Sequence, residues 1–278
     1  MSPAPQNTSQ RIVSLAPSVT SILLALGARR QLVAVSKWCK DVADVDGLPE
    51  LGDCWSLVSG NSAAQLMQLK PTMIIGSVPF KTETVQKILE LPVPFLALNP
   101  RSLADVEMDI RALGRIVVAS ARTEALIRQM RSDLESVSKL ARRAKTRPRV
   151  YCEAWPNPRI SSPPWVAELV EIAGGKMATA AGQRVTDEEV ARANPEIIVL
   201  AWTATGGKSK PEQPLANPAW QDVNAVRERK VFAIRDELLN TPGPPLARGA
   251  EELLRALHPE LANSIPRKKG RVLAKNRR

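Results

Sequence analysis

The chain repeats itself, and that repeat limits what it can fold into. Arg11 opens a β-rich run, Arg-Ile-Val-Ser-Leu, which breaks at Ala16-Pro17-Ser18 and continues as an apolar helix ending at Gly27; Arg149 opens a second run, Arg-Val-Tyr-Cys-Glu, which breaks at Trp155-Pro156-Asn157 and leads to an apolar helix ending at Gly174-Gly175. The echo continues inward. Ser62-Ala-Ala-Gln65 and Thr186-Asp-Glu-Glu189 both have the capping-box pattern, in which a hydroxyl and a carboxylate or amide satisfy each other's backbone N–H groups at a helix start. Each of these helices stops at a proline, Pro71 and Pro195, and each is followed by an apolar strand, Met73–Ile75 and Ile197–Leu200. The pattern predicts an α/β protein of two Rossmann-like lobes with parallel sheets. Clefts between such lobes are common places for small ligands, which directs the search to loops at strand ends.

At 278 residues and 44% hydrophobic composition, the chain is long enough for two cores of about 100 to 150 residues each. The predicted organisation is a flexible N-terminus (1–10), an N-terminal lobe (11–118), a linking helix (119–147), a C-terminal lobe (148–262) and a basic, disordered tail (263–278). The formal charge of +11 does not by itself indicate nucleic-acid binding, because Arg267, Lys268, Lys269, Arg271, Lys275, Arg277 and Arg278 carry seven of those charges in the tail, and without them it falls to +4. Specific nucleic-acid binding is therefore not expected. The polar start, Met1 to Gln10, lacks the basic and apolar regions of a secretory signal, so the expected location of the chain as written is cytoplasmic. No apolar run is long enough for a membrane helix. Three cysteines, Cys39, Cys54 and Cys152, are expected as free thiols in a monomer.

Strands are expected at Arg11–Leu15, Leu32–Val35, Met73–Ile75 and Phe95–Leu98 in the first lobe, with helices at Val19–Leu26, from Ser62, and from Thr82 to Glu90. The segment from Lys37 to Asn61 reads as a loop. Between the lobes, Ala121 to Ala144 contains neither Gly nor Pro, and Leu126, Met130, Leu134, Val137, Leu140 and Ala144 recur at helical spacing, with Asp133 and the other charges on the opposite, solvated side. Such a helix is long enough to strap two lobes together. The second lobe repeats the alternation, ending in a helix from Leu246 to Leu257.

The residues for enzyme chemistry are missing. His258 is the only histidine and sits beside Pro259 at a helix end, where a surface role is expected, so a Ser-His-Asp or Cys-His site lacks its base. The cysteines are dispersed, and no metal site of the protein's own is predicted. Gly206-Gly207-Lys208-Ser209 resembles the end of a phosphate loop, but the required earlier glycine is Trp202, and Pro211 and Pro214 exclude the helix that should follow. What remains is aromatic. Of six tryptophans, Trp38, Trp55, Trp155 and Trp202 fall in predicted strand-end loops, where large amphipathic rings suit a flat, bulky ligand; Trp165 and Trp220 fall at helix starts and are expected to pack.

Arg11-Ile-Val-Ser-Leu-Ala-Pro-Ser18, the helix end at Gly27, Leu69-Lys-Pro71, the long linking helix and Val166 to Gly175 together resemble the iron-siderophore and cobalamin substrate-binding proteins of ABC importers, with the nearest likeness to the cobalamin branch. The resemblance spans Arg11 to Leu257. It implies two lobes joined by a single backbone helix, a metal chelate such as cobalamin bound between them, no catalytic residue, no cofactor of the protein's own, and a periplasmic location. It places Pro17, Ser18, Trp55, Trp155 and Asp236 at the ligand, and Glu83 and Glu188 at an ABC permease. Departures from the family pattern are Ser21, Lys40-Asp41 and Asn240. A siderophore or haem ligand, served by Lys37, Lys40, Arg159 and Arg235, is the alternative on the same fold, and an enzyme of corrinoid metabolism is the alternative of another class.

Overall fold

A computed structural model describes residues 10–57, 62–203 and 209–264, with the side chain of Ser62 also outside the described set. The basic tail, the capping hydroxyl of Ser62 and the Gly206–Lys208 stretch thus lie outside the described residues. The described residues divide into two compact units, one comprising those up to Pro100 and Ala104–Arg128, the other Arg101–Leu103 and those from Gln129 to Ser264.

In the first unit, β1 (Ile12–Ser14) leads into α1 (Pro17–Ala25), and β2 (Leu32–Ser36) is followed after a turn by β3 (Glu50–Leu51). Then come α2 (Ser62–Gln68), β4 (Met73–Ser77), α3 (Thr82–Leu89), β5 (Phe95–Leu98) and α4 (Leu103–Ile116). The five strands are all parallel, in the order β3-β2-β1-β4-β5. Strands covered on both faces must be apolar on both, and β1 reads Ile-Val-Ser and β4 Met-Ile-Ile-Gly-Ser, each closed by a serine. Strand order reverses between β1 and β4, and loops at the carboxyl ends of the strands gather at that crevice. Gly27 stops α1 with φ +77, and a Cβ there would collide with the guanidinium of Arg122, whose Nη1 donates to Leu26 O at 3.1 Å. Two elements were not expected from the sequence. β3 is an edge strand of two residues inside the expected loop, and α4 carries its core contacts through Val106, Ile110 and Leu113.

The helix α5 runs unbroken from Ser120 to Ala141, and the division between the units falls within it. Its apolar stripe is offset from the expected one. Ile127, Met130, Val137 and Ala141 are buried, Leu126, Leu134 and Leu140 are half-buried, and Ala144 lies beyond the helix end. Asp133 is buried rather than solvated, accepting from Gln129 Nε2 at 2.8 Å. Neighbours that cover the helix, and not its periodicity alone, fix which face is inside.

The second unit is built on β6 (Arg149–Pro156), which continues through the expected break at Trp155-Pro156 and turns back as β7 (Arg159–Ser161), antiparallel to it. Pro156 is the last residue of β6, at the hairpin end, where a strand tolerates proline. There follow α6 (Pro164–Ile172), β8 (Lys176–Met177), α7 (Asp187–Ala193), β9 (Ile197–Leu200), α8 (Glu212–Leu215), α9 (Asn224–Arg227), β10 (Val231–Ala233), α10 (Asp236–Leu239) and α11 (Leu246–Leu257). Strands run β10-β9-β6-β7, with β8 parallel to the start of β6. Tyr151, Ile198, Leu200 and Trp220 form the centre of one core cluster. The Thr186 capping box is present in full.

His258 is a correction. It is 1% exposed, with Nε2 at 3.3 Å from Gly174 O, so it closes α11 against the α6–β8 turn instead of facing solvent. Gly174, at φ +85, is the residue that admits it, since a Cβ would sit 2.8 Å from that nitrogen.

Candidate functional site

In the first unit, β1, β2 and β4 each end in a buried serine. Thr20 Oγ1 donates to Ser14 Oγ at 2.7 Å and lies 3.1 Å from Cys39 Sγ, which in turn lies 3.2 Å from Ser36 Oγ. This neutral chain ties the turn after β1 to the turn after β2. On it stand Pro17, half-buried at the start of α1, and Ser18, buried, whose carbonyl accepts from Ser21 Oγ at 2.8 Å. No side chain caps α1, so the partial positive charge of its first-turn N–H groups is directed at the carboxyl edge of the sheet.

Trp55 is presented on the same edge. Its ring is 56% exposed, yet its backbone is held from both sides. Asp53 Oδ1 accepts from Trp55 N, Ser56 N and Ser56 Oγ at 3.1, 2.8 and 2.7 Å, and Oδ2 accepts from Trp38 Nε1 at 2.9 Å. Thr84 Oγ1 donates to Trp55 O at 3.0 Å, and Lys81 N donates to Cys54 O at 3.2 Å, fastening the segment to the start of α3 beside β4. Underneath, the Cys54 thiol packs on Gly76 where a Cβ would collide, and burial pushes it up to about 12. Burial likewise raises Cys39, and Cys152 to about 12, so all three free cysteines are protonated packing groups and not nucleophiles.

The second unit builds its edge from charge. Glu153, 0% exposed near the end of β6, accepts from Tyr151 Oη at 2.8 Å, Arg159 Nη1 at 2.6 Å and Trp202 Nε1 at 2.8 Å. Arg159 also pairs with Asp187 through Nε and lies 4.3 Å over the ring of Trp220, whose Nε1 donates to Asp187 O at 3.0 Å. Burial, followed by the Glu153 charge, holds the Tyr151 phenol well above its ordinary range. Arg159 is therefore committed within the fold and is not a free cation for an anionic chelate. Trp202 lies in the loop after β9 as expected but is buried there as a packing residue, and Trp165 and Trp220 pack as expected.

Trp155, 38% exposed, projects from the β6–β7 hairpin with Nε1 donating to Asn157 O at 2.8 Å. Asp236 is half-buried in the first turn of α10. Asn240 closes that helix onto the end of β9 through Nδ2, donating to Ala201 O at 2.6 Å and lying 3.3 Å from Thr203 Oγ1. The structure thus brings Pro17, Ser18 and Trp55 to one carboxyl edge and Trp155 and Asp236 to the other. Glu83 and Glu188 are exposed in the first turns of α3 and α7, and hydrogen bonding to the Thr186 side chain holds Glu188 below its usual range. The sequence reading missed Asp53 and Glu153, the carboxylates that organise the two edges. For Glu153 a signal existed, since it shares strand parity with the core residue Tyr151. Among the described residues, no three His, Cys, Asp or Glu side chains assemble a metal site, and no helix is long and apolar enough to cross a membrane.

Comparison with known proteins follows the same outline. The family described as periplasmic binding protein matches residues 12–238. An ABC transporter substrate-binding lipoprotein of Bacillus subtilis, YvrC, is 26% identical over 90% of this chain and 81% of its own length, and the vitamin B12-binding protein of Pectobacterium atrosepticum is 24% identical over 88% and 87%. Among solved structures, the apo form of the periplasmic heme-binding protein RhuT from Roseiflexus sp. RS-1 superposes with a TM-score of 0.76 at 24% identity, covering 91% of this chain and 99% of that one. The Bacillus relative is a lipoprotein and RhuT a periplasmic protein by description, and the cytoplasmic location expected from the N-terminus finds no support in either.

Proposed function

Because the chain belongs to the periplasmic binding protein family, we propose that it captures a chelated metal compound, a corrinoid such as cobalamin, and hands it to the permease of an ABC importer. It is a substrate-binding protein and not an enzyme. The same reading puts it outside the cytoplasm, free in the periplasm or lipid-anchored. Its ligand contacts are Pro17, Ser18 and Trp55 from the first unit and Trp155 and Asp236 from the second. The chelate is cargo, so the protein supplies no metal ligand.

One observation carries the reading: Trp55 stands 56% exposed on a turn organised by one carboxylate, Asp53, which accepts from the Trp55 and Ser56 N–H groups, the Ser56 hydroxyl and the Trp38 indole. Exposed aromatic area is costly in water unless something covers it, and a pre-ordered ring loses little entropy on binding. A planar macrocycle rimmed with neutral amides suits rings and backbone groups. An anionic siderophore needs cations, and of Lys37, Lys40, Arg159 and Arg235, Arg159 is internal, Lys40 faces Glu50 at 3.5 Å, Arg235 faces Glu237 at 3.1 Å and Lys37 lies 4.7 Å from the centre of the Trp38 ring. The test is direct: incubate the protein with cyanocobalamin, haemin or a ferric siderophore, remove free ligand, and record the visible spectrum. Retained corrinoid absorption supports the reading; retention of only haem or siderophore replaces it. For the permease, reversing Glu83 and Glu188 together should abolish uptake while leaving ligand affinity intact, because exposed rim charges govern docking.

A further inference from the structure

The edge opposite the carboxyl loops differs between the units. In a parallel sheet all strand starts lie on one edge. In the first unit the segments leading into β1 to β5 carry Arg11, Arg29, Arg30 and Lys70 against Asp44, Asp46, Glu50 and Glu90, an even balance. In the second unit the stretch from the end of α5 to the first residue of β6 alone carries Arg142, Arg143, Lys145, Arg147 and Arg149, all exposed. Lys176 opens β8, and Arg227, Arg229 and Lys230 lead into β10, again all exposed. Against these nine cations stand Glu228, 2.6 Å from Lys230, and Glu196, which leads into β9 3.7 Å from Arg149. Glu171 and Glu260, near the ends of α6 and α11, add two more on this edge.

Cations at helix C-termini offset the helix dipole, and that effect operates in both units. It does not account for an excess confined to the second. None of the six tryptophans lies in these segments, and the exposed Phe232, two residues past Lys230, is a single ring, short of the run of aromatics that stacks successive bases. What it offers is a dense, exposed positive field, which fits a broad anionic surface held by Coulomb attraction alone.

We propose that the amino edge of the second unit, centred on Arg142, Arg143 and Lys145, is a docking surface for an anionic phospholipid membrane. Polybasic clusters of this size bind such membranes through charge and release them as salt screens the field. The surface lies on the edge of its sheet away from Trp155 and Asp236, so membrane and cargo binding are separable.

Co-sedimentation of the full chain with phosphatidylglycerol-containing vesicles tests this. Binding should exceed that to pure phosphatidylcholine at least about tenfold and collapse between about 0.05 and 0.5 M salt. Arg142→Glu/Arg143→Glu/Lys145→Glu should lose about tenfold or more, and the corresponding triple Gln variant, which adds no repulsion, somewhat less. Changing Arg267, Lys268, Lys269 and Arg271 to Gln in the full chain controls for the C-terminal charges. Loss of binding in that variant alone, unchanged binding in both edge variants, equal binding to the neutral vesicles, or tighter binding to duplex DNA than to the vesicles would each overturn the assignment. Cobalamin retention is read separately on the same variants, so failure of the membrane proposal and of the ligand reading are distinguishable.

Discussion

The two units each set a tryptophan on the carboxyl edge of a mainly parallel sheet, and they support it in opposite ways. Under the first edge lies a neutral chain of serine, threonine and thiol, with a single carboxylate, Asp53, folding the Trp55 turn. The β6 edge of the second unit rests on a buried ion pair, Glu153 with Arg159, extended to Asp187 and walled by Trp202 and Trp220. Neutral hydroxyl chains are inexpensive to bury and contribute modestly each. Buried charges are tolerated only while every partner is present. The second edge is therefore an all-or-none structure and the first a divisible one.

Breaking the second edge should have the largest effect. Arg159→Met leaves Glu153 charged and unpaired at full burial, and should cost about 3 to 5 kcal/mol in denaturant unfolding. Adding Glu153→Gln should restore a good part of that loss; a double variant as unstable as the sum of the singles would deny the all-or-none picture. Next is Asp53→Ala, which removes a charged acceptor from four donors and should cost about 1.5 to 3 kcal/mol, with Asp53→Asn intermediate. Its characteristic readout is faster proteolysis at the Trp55 turn, without a change elsewhere. Thr20→Val in the neutral chain should cost only about 1 kcal/mol, because it removes one hydroxyl from a network that keeps other partners.

The smallest effect is a pH signature on α4. Burial, with a smaller contribution from Asp105, raises Asp109 on α4 to about 6 from an ordinary value near 3.8. A carboxyl whose folded pKa is raised destabilises the fold where it is ionised, and that penalty fades as pH falls from about 6 toward 4. Asp109→Asn should therefore raise the melting temperature slightly at pH 7.5 and not at pH 3.5. An equal change at both pH values would trace the effect to packing.

Local signals were legible in the sequence where they were local in origin. The Thr186 capping box, the helix from Leu246 to Leu257 and the strand Phe95–Leu98 stand as read, because caps, periodicity and apolar runs act over a few residues. Trp55 lies in the loop expected for it, whereas Trp155 belongs to the extended strand β6 and not to a loop. What escaped depends on distant partners. Glu153 is buried only because Arg159 and Trp202 meet it, the latter 49 positions away in sequence. His258 is buried because Gly174, 84 positions earlier, makes room for the ring. β7 could not be read from a three-residue segment beside Pro158, since its pairing with β6 is what makes it a strand. The α4 helix did leave a trace, Val106, Ile110 and Leu113 at helical spacing, between more prominent neighbours.

The most direct measurement is isothermal calorimetry of the parent, Trp55→Ala and Trp155→Ala with cyanocobalamin. Both rings are partly exposed, so their removal should leave unfolding stability nearly unchanged while affinity falls. The account predicts micromolar or tighter binding by the parent and a loss of about 1 to 3 kcal/mol in each variant. Absence of binding by the parent at about 100 μM, or an unchanged affinity in both variants, would contradict it.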